Sequence, residues 1–177
     1  GIDLDYWTED VPLGTMGPVI QHLDEVPEHL IVTNGDVLTD LDRRAFLADH
    51  IRSGASLSVA TSERSTEVDF GVVEVAAGRI VGFHEKPAFP IVASMGVYAI
   101  SSAVLSRYAA GAAVGFDQVV LDLIEAGDPP RAVSHDGVWF DLGRAAEYLE
   151  ADRRWSELAP LLLPDLDDDP DSAAVSG

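Results

Sequence analysis

The chain has 177 residues, 47% of them hydrophobic, which is enough to enclose one core but not two comfortable ones, so a single domain is the expectation. With 31 acidic against 11 basic residues and a formal net charge of −20, it lacks the clustered cations that meet a phosphate backbone, and this excludes nucleic acid as a partner. The absence of cysteine excludes disulfides, thiolate zinc sites and a cysteine nucleophile, leaving oxygen ligands for any metal.

No run approaches the ~18 uncharged apolar residues that span a bilayer, and the N-terminal "GIDLDYWTED" has neither a basic nor an apolar leader segment. A cytoplasmic protein with no membrane partner is expected. Ten of the eleven cations are arginine, so Lys86 is the only lysine and its surroundings carry extra interest.

In chain order, Pro18 at a first helical position and the apolar Val19, Ile20 and Leu23 predict a short helix ending before Pro27. Leu30 to Thr33 reads as a strand. Arg43 to Ser53 reads as a helix stopped by Gly54, and Ser56 to Ala60 as a second strand. Phe70 to Phe83 contains two β-rich runs separated by Ala77-Gly78, a hairpin signal. Ile91 to Ile100 predicts a further strand and Ser102 to Ala110 a helix. Phe116, Val119, Val120, Leu123 and Ile124 fall on one stripe of a helix that ends at Gly127. Short strands around Arg131 to Ser134 and Val138 to Phe140 lead to a last helix, Arg144 to about Trp155. The Asp- and Pro-rich end, within 158–177, reads as an acidic, unstructured tail after a domain of residues 1–157. Strands alternating with helices, plus one hairpin, imply an α/β fold with a mostly parallel sheet and some antiparallel pairing.

Two apolar strands run directly into an aspartate: "LIVTNGD" reaches Asp36 and "VWFD" reaches Asp141. Asn, Gly and Asp are turn formers, so a solvated loop is one reading. The other is chemical, because ligands of open α/β sheets bind in the crevice outside the carboxyl ends of the strands. Four more stretches join these two. "PLGTMG" (Pro12 to Gly17) is a glycine turn before a helix, and "FGVV" begins the hairpin region. "FHEKP" (Phe83 to Pro87) holds the lone lysine in what is otherwise an ordinary exposed ion pair. "SMGVY" (Ser94 to Tyr98) places a glycine inside an apolar strand, marking either a bulge or the close approach of a ligand.

Taken together and in this order, from Pro12 to about Glu150, the stretches resemble the sugar nucleotidyltransferase family. These are the hexose-1-phosphate nucleotidylyltransferases that make NDP-sugars, among them glucose-1-phosphate thymidylyltransferases and mannose-1-phosphate guanylyltransferases. The resemblance implies a Rossmann-like three-layer α/β/α fold with a mixed, mostly parallel sheet. It implies transfer of a nucleotidyl group from an NTP to a sugar 1-phosphate, with Mg²⁺. By the same resemblance Asp36 and Asp141 are the Mg²⁺ ligands, and with Lys86 they form the catalytic set, Lys86 contacting the sugar phosphate. Glu9 and the backbone of Gly14 belong to the nucleobase pocket. Gly35 is a substrate-binding position, and Gly71, Glu85 and Gly96 are sugar-binding positions.

The sequence departs from the family at one place. The glycine-rich loop G-G-x-G-T-R-L-x-P-L-T, whose backbone N–H groups and arginine cradle a triphosphate, is absent from these 177 residues. A chain lacking the first part of the fold is therefore expected, with an uncovered flank beside the Leu30 to Thr33 strand that favours homo-oligomers or aggregation. A catalytically inactive homologue that binds an NDP-sugar, or regulates a partner, is the alternative function.

Overall fold

The computed structural model describes residues 3–163. The greater part of the acidic tail, 164–177, lies outside them. The strands are β1 (His29–Thr33), β2 (Val37–Thr39), β3 (Leu57–Glu67), β4 (Val72–Ala76), β5 (Arg79–His84), β6 (Ala88–Ser101), β7 (Arg131–Ser134) and β8 (Trp139–Asp141). The helices are α1 (Gly17–Gln21), α2 (Arg43–Ser53), α3 (Ser102–Leu105), α4 (Phe116–Glu125), α5 (Ala145–Arg153) and α6 (Trp155–Leu162).

The main sheet has the order β1-β6-β3-β7. β6 runs antiparallel to both neighbours, and β3 pairs parallel with β7. Three of the four strands therefore point one way, giving the mixed sheet that was expected. Because the reversed strand sits between β1 and β3, parallel pairing itself survives only at β3–β7. Beyond β6, β1 has no strand partner among the described residues.

Helices cover both faces, and the alternation along β6 shows how. Tyr98 and Ile100 point into a core with Met16, Ile20 and Leu105, closed by Leu123 from α4. Val97 and Ala99 point the opposite way, onto Phe46 of α2. Successive side chains of a strand alternate in this fashion, so a strand that is apolar at every position must be covered twice. The result is three layers.

α2 forms over the expected residues for identifiable reasons. The Asp42 carboxylate accepts from Ala45 N–H at 2.9 Å at the N-terminus, and Gly54 takes a left-handed conformation (φ 67°) at the other end. The Ala77-Gly78 turn likewise has positive φ at both residues, 50° and 73°, the conformation that two-residue hairpins need.

Several boundaries differ from expectation. β3 continues seven residues past Ala60 to Glu67, pairing with 88–94 of β6 to make a two-stranded arm that leaves the sheet. Its polar sequence gives no strand signal. α3 stops at Leu105, five residues early. The last predicted helix is two, α5 and α6, and Leu158 of α6 is buried. The boundary expected after residue 157 thus falls inside a helix. β2, three residues long, has no counterpart in the sequence reading, yet it pairs with β8 to make the ribbon on which the two aspartates lie.

Candidate active site

β1 ends where Asn34 N–H donates to the carbonyl of Gly96, at 2.9 Å. The chain then turns through Gly35 and Asp36 into β2. β2 and β8 run antiparallel with Val37 opposite Asp141, and Leu142 N–H donates to the Asp36 carbonyl at 2.8 Å. The two strand-ending aspartates are therefore held side by side by backbone hydrogen bonds. Their carboxylates converge over Gly143. A methyl group placed on that glycine would lie 2.8 Å from Asp36 Oδ2 and 3.1 Å from Asp141 Oδ1, so the two oxygens are no further apart than about 6 Å. Gly143 N–H donates to the same Asp141 oxygen at 3.1 Å.

A pair of hard, accessible carboxylates at this spacing fits one small divalent cation that takes its remaining ligands from water and phosphate oxygens. Two like charges held this close gain from a shared cation. Among the described residues no group of three or more His, Asp or Glu side chains could enclose a metal without such outside ligands.

The other expected residues fall into two sets. Gly71, Glu85 and Lys86 meet at the outer end of the arm. A methyl group on Gly71 would strike the Phe83 ring at 2.5 Å and come within 3.3 Å of Glu85 Oε2, so glycine there allows ring and carboxylate to close over the backbone. Lys86 Nζ donates to Asp69 Oδ1 at 2.7 Å, both side chains being largely exposed. Lys86 also has φ 45°, directly before Pro87. That is an uncommon conformation for a side-chain-bearing residue, and it is further disfavoured before proline. Backbone strain of this kind concentrates at functional sites.

Glu9 and Gly14 form the second set, at the turn before α1. Glu9 Oε1 accepts from Leu13 N–H at 3.0 Å, so this carboxylate braces the turn. Gly14 has φ 76°, and a methyl group there would lie 2.6 Å from the Val114 carbonyl, which accepts from Met16 N–H at 3.0 Å while Val114 N–H donates to the Leu13 carbonyl at 2.7 Å. Gly96 is different again. It is buried in a bulge of β6 with φ 73°, and the Asn34 amide fills the space a side chain would need. Of the two readings of this glycine, the structure shows the bulge. Gly35 has nothing within 4 Å of its missing side chain and is exposed.

Topology places the aspartates and the arm on one side of the sheet. β1 and β3 point the same way, so Asp36 beyond the end of β1, and the arm that extends β3, both lie past the carboxyl ends. Sequence reading missed Arg64 and Glu147, which join these regions. Arg64, on the arm, donates to Glu147 Oε1 at 2.9 Å and to the Trp139 carbonyl at 2.7 Å. Its guanidinium lies 3.9 Å from the centre of the Trp139 ring. A cleft of about 570 Å³ opens beside them, lined by Glu63, Asp136, Phe140 and Glu150 among others.

The fold and site define a mixed-sheet α/β protein with paired carboxylates beyond its strand ends, and comparison with known proteins makes this specific. The sequence model of the family described as nucleotidyl transferase matches residues 1–157. The chain belongs to that family. It is 29% identical over 185 aligned positions to a glucose-1-phosphate adenylyltransferase of Granulibacter bethesdensis, covering 84% of this chain and 44% of that protein. It is 27% identical over 157 positions to a probable mannose-1-phosphate guanylyltransferase 2 of Arabidopsis thaliana, covering 84% and 43%. The crystal structure of HddC from Yersinia pseudotuberculosis superposes with a TM-score of 0.61 at 21% identity, covering 83% of this chain and 64% of that one. The chain spans less than half the length of these curated relatives.

Proposed function

We propose that the protein to which this chain belongs transfers a nucleotidyl group from an NTP to a sugar 1-phosphate, releasing pyrophosphate and NDP-sugar. The reading rests above all on the convergence of Asp36 and Asp141 over Gly143, beyond the carboxyl ends of the strands. Family membership supports it. A phosphate oxygen of the sugar 1-phosphate forms a new bond to the α-phosphorus of the NTP. The bond from that phosphorus to the bridging oxygen breaks, and pyrophosphate leaves with the electron pair.

When bound, Mg²⁺ supplies charge neutralisation for the phosphates. The chain's own residues position and neutralise. Asp36 and Asp141 hold the cation, with Gly35 and Gly143 keeping that corner free of side chains. Glu85 accepts from sugar hydroxyls while Gly71 gives the ring room. Lys86 sets one compact positive charge against the sugar phosphate. Glu9 and Gly14 shape the turn that meets the base, and Gly96 sets the bulge behind the sugar. No covalent intermediate on the protein is required, and the rate comes from placement and electrostatics.

The test is pyrophosphate release by the full-length protein across the nucleoside triphosphates and a panel of hexose 1-phosphates, with Mg²⁺ and with chelator. Release from at least one pair, abolished by chelator, is expected. NDP-sugar binding without release from any pair would instead identify an inactive homologue.

A further inference from the structure

We infer that Glu147 and Arg64 are positioning residues for Asp141, acting together as a side-chain substitute for the strand that β8 lacks on its outer edge. The inference rests on the reading that Asp141 helps hold a divalent cation. Among the described residues β8 pairs on one side only, with β2. Along that side the bonds run from Leu142 N–H to the Asp36 carbonyl and from Asp40 N–H to the Val138 carbonyl. Strand geometry therefore turns the Asp141 N–H and the Trp139 carbonyl to the other side, where a third strand would meet them. No strand is there.

Two side chains from distant parts of the sequence take its place. Glu147 Oε2 accepts from Asp141 N–H at 2.7 Å, and Arg64 donates to the Trp139 carbonyl at 2.7 Å. The pair is completed by the 2.9 Å bond from Arg64 to Glu147 Oε1. The same Glu147 oxygen lies 3.7 Å from Arg144 Nε, a weaker and more exposed contact. Glu147 and Arg64 keep only 16% and 29% of their side-chain surface exposed, so these charge-assisted bonds are shielded from water more than an ordinary surface pair. Stacking on Trp139 fixes the plane of the guanidinium.

The effect falls on the Asp141 backbone. With its N–H held by Glu147 and its β2 side in register, the residue cannot rotate about the strand axis, and its carboxylate stays aimed at Asp36. Outer partners of this kind set the orientation of metal-holding groups, and their loss costs 10- to 100-fold in affinity. Arg64 sits on the arm that carries Glu85 and Lys86, so one guanidinium also ties the sugar-side arm to the cation side.

The experiment uses Mn²⁺ alone as the probe, its binding to the full-length protein read by water-proton relaxation, with thermal unfolding measured in parallel. Glu147→Ala and Arg64→Ala are expected to raise the Mn²⁺ Kd roughly 10- to 100-fold. Glu147→Asp keeps the charge but is one methylene too short to reach both Asp141 N–H and Arg64. It is expected to weaken Mn²⁺ about tenfold at an unchanged Tm, which covers the case in which the alanine variants fold poorly. Wild-type affinity in the Glu147 and Arg64 variants, with Asp36→Asn unable to bind, would overturn the inference and leave the carboxylate-pair reading intact. Wild-type affinity in Asp36→Asn, or no binding by the wild type, would overturn that reading and the inference with it.

Discussion

The β2–β8 ribbon and the arm tip carry the two halves of the proposed chemistry, and they are built in opposite ways. The ribbon is short but supported from several directions. β2 and β8 pair with each other, Glu147 and Arg64 close the outer edge, and Val37 and Trp139 pack onto the α2 core. The arm is long and thin. The outer part of β3 pairs only with β6, and the β4–β5 hairpin is a separate two-stranded sheet. One face of that hairpin, with Val73 opposite Phe83 and Val75 opposite Ile80, is apolar and open, its residues 43–67% exposed. A lone hairpin is marginal in water. On the proposed reading, the contrast means that the geometry of the aspartate pair is fixed by the fold itself, whereas the groups proposed to meet the sugar sit on the less supported arm.

The largest expected effect tests the fixed half. Asp141→Asn removes a charge without altering the backbone pairing, so the proposed turnover of the full-length protein should fall about 10²- to 10³-fold with little change in Tm. A comparable loss of Tm would mean that the ribbon depends on the carboxylate for folding.

Next comes the arm. Lys86 occupies a left-handed conformation that asparagine tolerates better, and its exposed pair with Asp69 contributes little. Lys86→Asn is therefore expected to stabilise the fold by about 0.5–1 kcal/mol while lowering turnover roughly 10- to 100-fold. Lys86→Arg, which keeps the charge, should also lose turnover, because a planar fork does not replace a compact ammonium. Full activity in both would make Lys86 a surface residue.

Gly96→Ala tests the joint between the two halves. The added methyl would sit 2.8 Å from the Asn34 amide, at a φ of 73°, so a cost of about 1–3 kcal/mol is expected, read as a lower Tm. A neutral outcome would show that Asn34 moves freely and that the turn leading to Asp36 is less rigid than the ribbon.

The smallest effect comes from the far end of the sheet. His50 is fully buried, bonding Ser58 Oγ at 2.9 Å and His29 at 3.3 Å. Burial, with lesser contributions from His29 and Arg131, pushes its pKa below the ordinary histidine value of 6.5. The unfolded chain thus binds the proton more readily than the folded one, and stability rises with pH through this window. The contribution should be complete above about pH 6.5 and decline as pH falls toward the lowered value. Denaturant titrations across that range would show it, and His50→Gln should flatten the slope.

Much of the fold was legible because local signals agreed with it. The α2 residues, the Ala77-Gly78 turn and the stripe from Phe116 to Ile124 each carry their own stop or period, although Ile124 itself is exposed while the other four meet the core. The two strand-then-Asp stretches pointed to one corner of the molecule, and the structure brings them together there. The arm was not legible, since Ser62 to Glu67 is polar and solvated and has no core face to mark it. β2 is too short to show a period. α6 follows α5 with one residue between them, and its Pro160 lies inside the helix, where it reads as a stop. Arg64 and Glu147 are 83 residues apart, and nothing in either neighbourhood reveals a pairing that only the exposed edge of β8 requires.

The most direct measurement is an anomalous difference map from crystals of the full-length protein grown with Mn²⁺ and a nucleoside triphosphate. One peak with oxygens of both Asp36 and Asp141 at about 2.1–2.3 Å is the predicted result. A peak held by only one of the two, or Mn²⁺ bound to the phosphates with neither carboxylate in reach, would contradict the account.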